Sequence, residues 1–246
     1  MLLEGGKRGA FENSEVPIVS ILIVTYNAAS VLPNCLESIY KQTYPNLEVI
    51  IIDGQSTDAT IDILTHNSHR LNYWRSERDS GIYDAMNKAL GYATGEWIYF
   101  IGADDTLYEG FSEMCYTLQN PNTVYYGRVL TLGGPTFPVS DYQFAKIGIC
   151  HQAIIYPKSV FLNNYFNVNY RISADFAFNI PLYANSKYHF EFRDFLIAKF
   201  NHTGVSSTNI DERFEKDRSG MVIRNFSLWI WLRYQVWKLK KSSRTK

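Results

Sequence analysis

At 246 residues the chain is long enough for one sizeable domain with its own core, and its 46% hydrophobic and 20% charged content excludes a disordered one. Lys and Arg number 24 and Asp and Glu 24, but no acid follows Asp217, whereas Arg224, Arg233, Lys238, Lys240, Lys241, Arg244 and Lys246 all do. Setting those seven aside leaves 17 cations against 24 carboxylates, a balance that argues against a nucleic-acid-binding body. Cys35, Cys115 and Cys150 are far apart, which suggests neither a disulfide framework nor a zinc site and fits a reducing, cytoplasmic compartment. Residues 1–16 are polar and Gly-rich, lack the apolar core of a signal peptide, and read as a loose tail.

In chain order, Ile18 to Val24 is a near-continuous apolar run, as in a strand buried on both faces, and it ends in Thr25, Tyr26 and Asn27. A helix follows, with Ser30 as its expected cap, Pro33 in its first turn and Leu32, Leu36 and Ile39 at helical spacing. Glu48 to Ile52 is a second buried strand, closing on Asp53 and Gly54, and a helix carrying Ile61 and Leu64 comes next. Leu71 to Trp74 is a weaker third strand, and Tyr83, Met86 and Leu90 mark a helix that Gly95 ends. Trp97 to Ile101 is five apolar residues, then Gly102, Ala103 and the adjacent carboxylates Asp104 and Asp105. This alternation predicts an α/β fold with a mostly parallel, Rossmann-like central sheet flanked by helices. Beyond Asn120 the alternation stops and an α+β half is expected to continue the same sheet, with strands over Thr123 to Leu130 and His151 to Tyr156. A loop from Tyr170 then runs into a helix with Asp175 in its first turn, where position alone predicts no more than a carboxylate complementing the helix's positive end.

In open parallel sheets ligands bind at the carboxyl edge of the strands. Here that edge gathers Thr25 to Asn27, Asp53 to Gln55, Glu77 to Gly81 and the Asp104–Asp105 pair. Two adjacent carboxylates repel unless a cation or donor lies between them, and Mg²⁺ or Mn²⁺ is commonly shared between carboxylates and a phosphate. The plainer alternative has the pair starting a helix at Thr106 to Glu109. There is no glycine-rich dinucleotide fingerprint and no P-loop lysine, which excludes the usual NAD enzymes and NTPases.

The order of motifs resembles the bacterial members of glycosyltransferase family two, with the GT-A fold. It is carried by Val19 to Asn27, Glu48 to Thr60, Asp79 to Lys88, Gly102 to Asp105, His151-Gln152, Arg171 to Asp175 and Gly204 to Asn209. The second half looks most like enzymes of exopolysaccharide or O-antigen synthesis, including the colanic-acid type. The resemblance implies an inverting, metal-dependent transfer of a sugar from a nucleotide sugar, commonly a UDP-sugar, to a glycan acceptor that is a lipid-linked intermediate. It implies that Thr25, Tyr26 and Asn27 line the nucleotide pocket and that Asp53 accepts a hydrogen bond from uracil. Asp79 would face the nucleotide or sugar, Asp104 the ribose, and Asp105, with Asp104, would bind the divalent cation, Mn²⁺ or Mg²⁺. Asp175 would be the catalytic base, and His151, Gln152 and Arg171 would contact acceptor or sugar. Ala103 stands where many relatives carry a polar or acidic residue. His202 near the metal or phosphate, Ser206 and Ser207 on phosphate, and Lys88 on the diphosphate are weaker candidates, while Tyr83 and Trp74 read as core. A nucleotidyltransferase would be expected to carry a basic, Gly-rich phosphate loop near the first strand; a non-catalytic nucleotide-sugar-binding relative is the other alternative.

The domain layout expected is residues 17–215 as one GT-A unit, with a nucleotide-binding half at 17–120 and an acceptor half at 121–215, followed by a basic amphipathic helix at 216–246. In that tail Val222, Phe226, Trp229, Leu232, Val236 and Leu239 recur at helical spacing. Its uncharged stretch is far too short to span a bilayer. Tryptophans beside Lys and Arg suit a helix lying on a membrane, which predicts a peripheral protein on the inner face of the cytoplasmic membrane. Packing on the body, or pairing as a homo-oligomer, are the alternatives.

Overall fold

A computed structural model describes residues 3–7, 11, 15–201 and 210–244. The four expected buried runs are parallel strands: β2 (Val19–Thr25), β3 (Leu47–Asp53), β4 (Tyr73–Ser76) and β5 (Trp97–Gly102). They are joined by α1 (Leu32–Tyr40), α2 (Thr60–Asn67) and α3 (Ile82–Leu90). β2, β3 and β5 are apolar along most of their length because both of their faces are covered; Ile21, Ile23, Ile51, Ile52, Tyr99 and Phe100 are fully buried.

Then come β6 (Thr106–Leu107), α4 (Gly110–Cys115), β7 (Thr123–Thr131), β8 (Gly134–Pro135), α5 (Asp141–Ile147), β9 (Ile154–Pro157), α6 (Ala174–Tyr183) and β10 (His189–Lys199). The strand order is β1-β4-β3-β2-β5-β9-β7-β10-β6, with β8 beside β7 and β1 spanning Leu3–Gly5. β9 runs antiparallel to both β5 and β7, so the second half continues the sheet of the first.

Four local expectations are corrected. Leu3–Gly5 is not loose: it pairs antiparallel with the edge strand β4, and Tyr73 Oη donates to Glu4 Oε2 at 2.7 Å. Ser30 does not cap α1, whose N-cap is Val31; Pro33 in the first turn needs no N–H partner. His151–Ala153 is a 3₁₀ turn rather than the start of a strand, because Gln152 turns toward Asp105 and its carbonyl accepts from Tyr99 Oη at 2.8 Å. The basic tail is two helices, α7 (Glu212–Asn225) and α8 (Leu228–Arg244), not one. They break at Phe226, whose backbone is extended and whose ring lies against Phe144 and Tyr183. The Asp104–Asp105 pair does not open a helix either, since β6 follows it and α4 begins only at Gly110.

At the amino edge of the sheet, buried Glu48 accepts from Ser20 Oγ at 2.5 Å, Thr94 N at 2.8 Å and Thr94 Oγ1 at 2.7 Å. Glu48→Ala would strand these donors in the interior and is expected to lower unfolding free energy by about 2–4 kcal/mol. Chemical denaturation measures it, with ligand binding by the folded fraction unchanged because the network lies at the edge opposite the site.

Candidate active site

The strand registers align Thr25 with Asp53 and Asp53 with Ser76, three polar residues in one row at the carboxyl edge. Thr25 Oγ1 and Ser56 Oγ donate to Asp53 Oδ1 at 2.9 and 2.5 Å, and Ser76 Oγ and Ser56 N to Oδ2 at 2.7 and 2.9 Å. Asp53 is fully buried by them and lies beneath the lining of the cavity above. Four donors already occupy its oxygens, so it holds β2, β3 and β4 together at this edge.

That cavity, of about 1480 Å³, gathers most of the other candidates: Thr25, Tyr26, Asn27, Asp79, Asp104, Asp105, His151, Gln152 and Asp175. Tyr26 is 66% exposed there, and Gly54 and Gln55 join it, Gln55 with φ 62°. Asp79 approaches Gly54 so closely that a Cβ at that glycine would lie 2.5 Å from its Oδ2. Burial raises the Asp79 carboxyl above its ordinary value, against the Gly81 N–H that donates to it at 2.9 Å. Arg171 is exposed, next to Ile172 and Ser173 of the cavity lining. Lys88 is turned from the cavity toward Arg78 O, Glu77 and Asp84. His202, Ser206, Ser207 and the Gly204–Asn209 motif lie outside the described residues.

Asp105 is 1% exposed. The chain turns back on itself after β5, so that Gly102 N donates to Asp105 Oδ2 at 3.2 Å, and a Cβ on Gly102 would strike that oxygen at 2.7 Å. Gln152 Nε2 also donates to Oδ2, at 2.7 Å, and Asn201 N donates to Oδ1 at 2.7 Å. Gln152 therefore clamps a carboxylate, and its own Oε1 accepts from Cys150 Sγ at 3.2 Å. Burial pushes the Asp105 carboxyl up to about 7; the Asn201, Gln152 and Gly102 donors oppose the rise and Asp104 adds to it.

Asp175 lies in the first turn of α6. Its Oδ1 accepts from Tyr83 Oη at 2.7 Å, and its Oδ2 is 3.5 Å from His151 Nδ1. Burial lowers the His151 pKa below its ordinary value more strongly than Asp175 raises it, so the ring is neutral near pH 7. Both ring nitrogens are buried, and the ring packs against Phe100 and Phe166. His151 thus backs Asp175 within the cavity lining. Asp211 sets the entry to α6: its Oδ2 accepts from Ile172 N at 2.9 Å and Ser173 N at 3.2 Å, while its Oδ1 caps α7 through Phe214 N at 3.0 Å.

Tyr83, Asn201 and Asp211 are the functional residues that sequence reasoning missed. Asp211 had a signal, an acid just before a helix-forming run. Tyr83 and Asn201 had none, since their partners are 92 and 96 positions away.

The cavity lining carries six carboxylates (Asp79, Asp104, Asp105, Asp175, Asp211 and Glu215) against three cationic side chains (Arg78, Lys238 and Lys241). An anionic ligand would need further positive charge here. Asp104 and Asp105 offer adjacent oxygens, and the three N–H partners of Asp105 are all neutral groups, so the pair fits an oxygen-seeking divalent cation. Among the described residues no group of three His, Cys, Asp or Glu gathers to hold a metal, so phosphate and water would supply the other ligands.

Residues 20–184 match the family model described as "Glycosyl transferase family 2". A "PGL/p-HBAD biosynthesis glycosyltransferase" of Mycobacterium bovis BCG is 37% identical over 215 residues, covering 81% of this chain and 83% of that protein. Among solved structures, S. aureus TarS 1-349 in complex with UDP-GlcNAc has a TM-score of 0.70 at 18% identity, covering 89% of this chain and 71% of that one. This chain spans only 60% of the same TarS fragment in its UDP complex, at a TM-score of 0.62 and 21% identity. The mannosyltransferase PcManGT of Pyrobaculum calidifontis, in complex with GDP-Man and Mn²⁺, has a TM-score of 0.60 at 20% identity, covering 88% of this chain and 65% of that one. With the family model matched over both the strand edge and the Asp175 helix, this chain belongs to glycosyl transferase family 2 and has the GT-A fold.

Proposed function

We propose that the protein is an inverting glycosyltransferase that uses a nucleotide-sugar donor, a uridine diphosphate sugar in the reading favoured here. The observation that carries it is the convergence in one cavity of the Asp104–Asp105 pair and of Asp175, the latter oriented by Tyr83. Residues 17–120 supply the donor side and 121–215 the acceptor side. The nucleotide would lie over Thr25 to Asn27, with Asp53 and Asp79 on the base side and Gln55 beside them. The TarS complexes with UDP and UDP-GlcNAc support uridine, and the PcManGT complex with GDP-Man and Mn²⁺ supports a nucleotide sugar with a divalent cation.

Asp104 and Asp105 would hold that cation, Mn²⁺ or Mg²⁺, which would neutralise charge on the leaving diphosphate. Asp175 takes the proton of the acceptor hydroxyl as that oxygen forms its bond to the anomeric carbon. The bond from that carbon to the diphosphate oxygen breaks, its electron pair leaves with the nucleoside diphosphate, and the configuration inverts in one displacement. The acceptor is proposed to be a lipid-linked glycan intermediate of exopolysaccharide or O-antigen synthesis, met at the inner face of the cytoplasmic membrane. Exposed Ile147 and Ile210 on the cavity lining support an amphiphilic acceptor. No helix among the described residues is long and apolar enough to cross a membrane.

Asp175→Asn is expected to cut transfer by about 10²–10⁴-fold while leaving donor binding, read by calorimetry, unchanged. Retained turnover would remove Asp175 from the role of base; no donor binding in folded wild type would favour a different ligand. Tyr83→Phe keeps the ring in place but removes the donor to Asp175. It should lower kcat by about tenfold or more with little change in the donor KM.

The raised Asp105 carboxyl predicts a pH dependence. In the cation-free protein its preference for the proton stabilises the fold fully below the ordinary value of 3.8, and this is lost as pH rises through about 7. A cation must displace that proton, so the rise in Tm produced by donor with Mn²⁺ should grow between about pH 6 and pH 8 and vanish with chelator or in Asp105→Ala. An equal rise at both pH values would contradict the assignment.

A further inference from the structure

The C-terminal helix α8 is apolar on two opposite sides, and only one of them is covered. Tyr234 is fully buried with Val222 of α7 and Ala145 of α5, and Ile230, Trp231 and Trp237 pack around them. Arg218 lies 5.4 Å from the Tyr234 ring centre and 5.9 Å from that of Trp237. The other side presents Leu228 (62% exposed), Trp229 (68%), Leu232 (43%), Val236 (52%) and Leu239 (71%). Their spacing puts them in one stripe along the helix. A contiguous apolar stripe of this kind on a folded surface marks a docking site.

Its charge selects the occupant. Arg233, whose guanidinium lies 4.0 Å over the Tyr142 ring, and Lys240 border this exposed side, and no Asp or Glu follows Asp217 in the chain. A second copy meeting this face symmetrically would bring the same cations against each other, which disfavours pairing. An anionic bilayer complements them, with tryptophan and leucine entering the interface and Lys and Arg meeting the headgroups. Lys238 and Lys241, four and seven residues after Tyr234 and so on the packed side of the same helix, line the cavity that holds Asp105 and Asp175, so α8 itself forms part of the wall of the site.

We propose that the exposed stripe of α8 is a docking surface for an anionic lipid bilayer, which would hold the helix that walls the site at the membrane. This deepens the lipid-linked acceptor reading above, but its test reads vesicle binding and not turnover, so the two fail separately. The full chain is expected to co-sediment with vesicles of phosphatidylcholine and phosphatidylglycerol, less as salt is raised, and little with phosphatidylcholine alone. The triple variant Trp229→Ser, Leu232→Ser, Val236→Ser should lose about tenfold or more of that partition with unchanged Tm and donor binding. Arg233→Ser and Lys240→Ser should each cost about fivefold on anionic vesicles only.

Tryptophan quenching by vesicles with brominated acyl chains tests the wild-type chain without any substitution, and quenching is the expected result. Absence of vesicle binding, or equal binding by wild type and the triple variant, would overturn the proposal. So would a wild-type dimer in light scattering that the triple variant dissolves, which would give the stripe to a second copy.

Discussion

The structure depends on enclosing the Asp105 carboxylate at 1% exposure. A buried carboxylate is tolerated only when its oxygens are met by donors. Those donors come from three distant parts of the chain: the end of β5, the 3₁₀ turn before β9, and Asn201 after β10. The two halves of the sheet are therefore joined at the point where the chemistry is expected. All three donors are neutral, which leaves the site short of positive charge, a condition that suits a carboxylate awaiting a cation and a diphosphate.

Asp175 is reached by a different route. Its helix is set by Asp211, which bonds the two backbone N–H groups entering α6 and also caps α7. Its side chain is set by Tyr83 from α3, in the other half of the fold. The proposed base is thus fixed from both ends by groups that do no chemistry themselves. His151, held neutral by burial and wedged between Phe100 and Phe166, fills the space behind it. Asp53 makes a similar point in reverse. Its oxygens accept from Thr25 on β2, Ser76 on β4 and Ser56 in the turn after β3, so it ties the ligand-binding edge together.

The C-terminal helices extend this economy. α7 and α8 pack on the body through α5, with Arg218 donating to the carbonyls of Ala145 and Lys146 and lying 4.5 Å over the Phe176 ring. The break at Phe226 inserts one aromatic into the core and turns α8 so that one side packs while the other stays in solvent. A single continuous amphipathic helix would have had one apolar side to bury, and would have had to choose.

Residue order alone determined the alternation of strands and helices. A strand buried on both faces must be apolar along its whole length, and those runs end where polar residues cluster. The same logic placed Asp104 and Asp105 at one edge with Thr25 and Asp79, because the ends of parallel strands share an edge; Asp175, on a helix, joined them only through the family resemblance. What each side chain does there was decided by the tertiary structure. Asp53 and Asp105 both close apolar strands, yet one is saturated by neighbouring hydroxyls beneath the cavity and the other lines it. Gln152 and His151 were legible as polar residues at the edge, but their partners lie 47 and 24 positions away. Contacts of that range are specified by register between strands and the packing of helices on the sheet, and no local pattern in the chain encodes them.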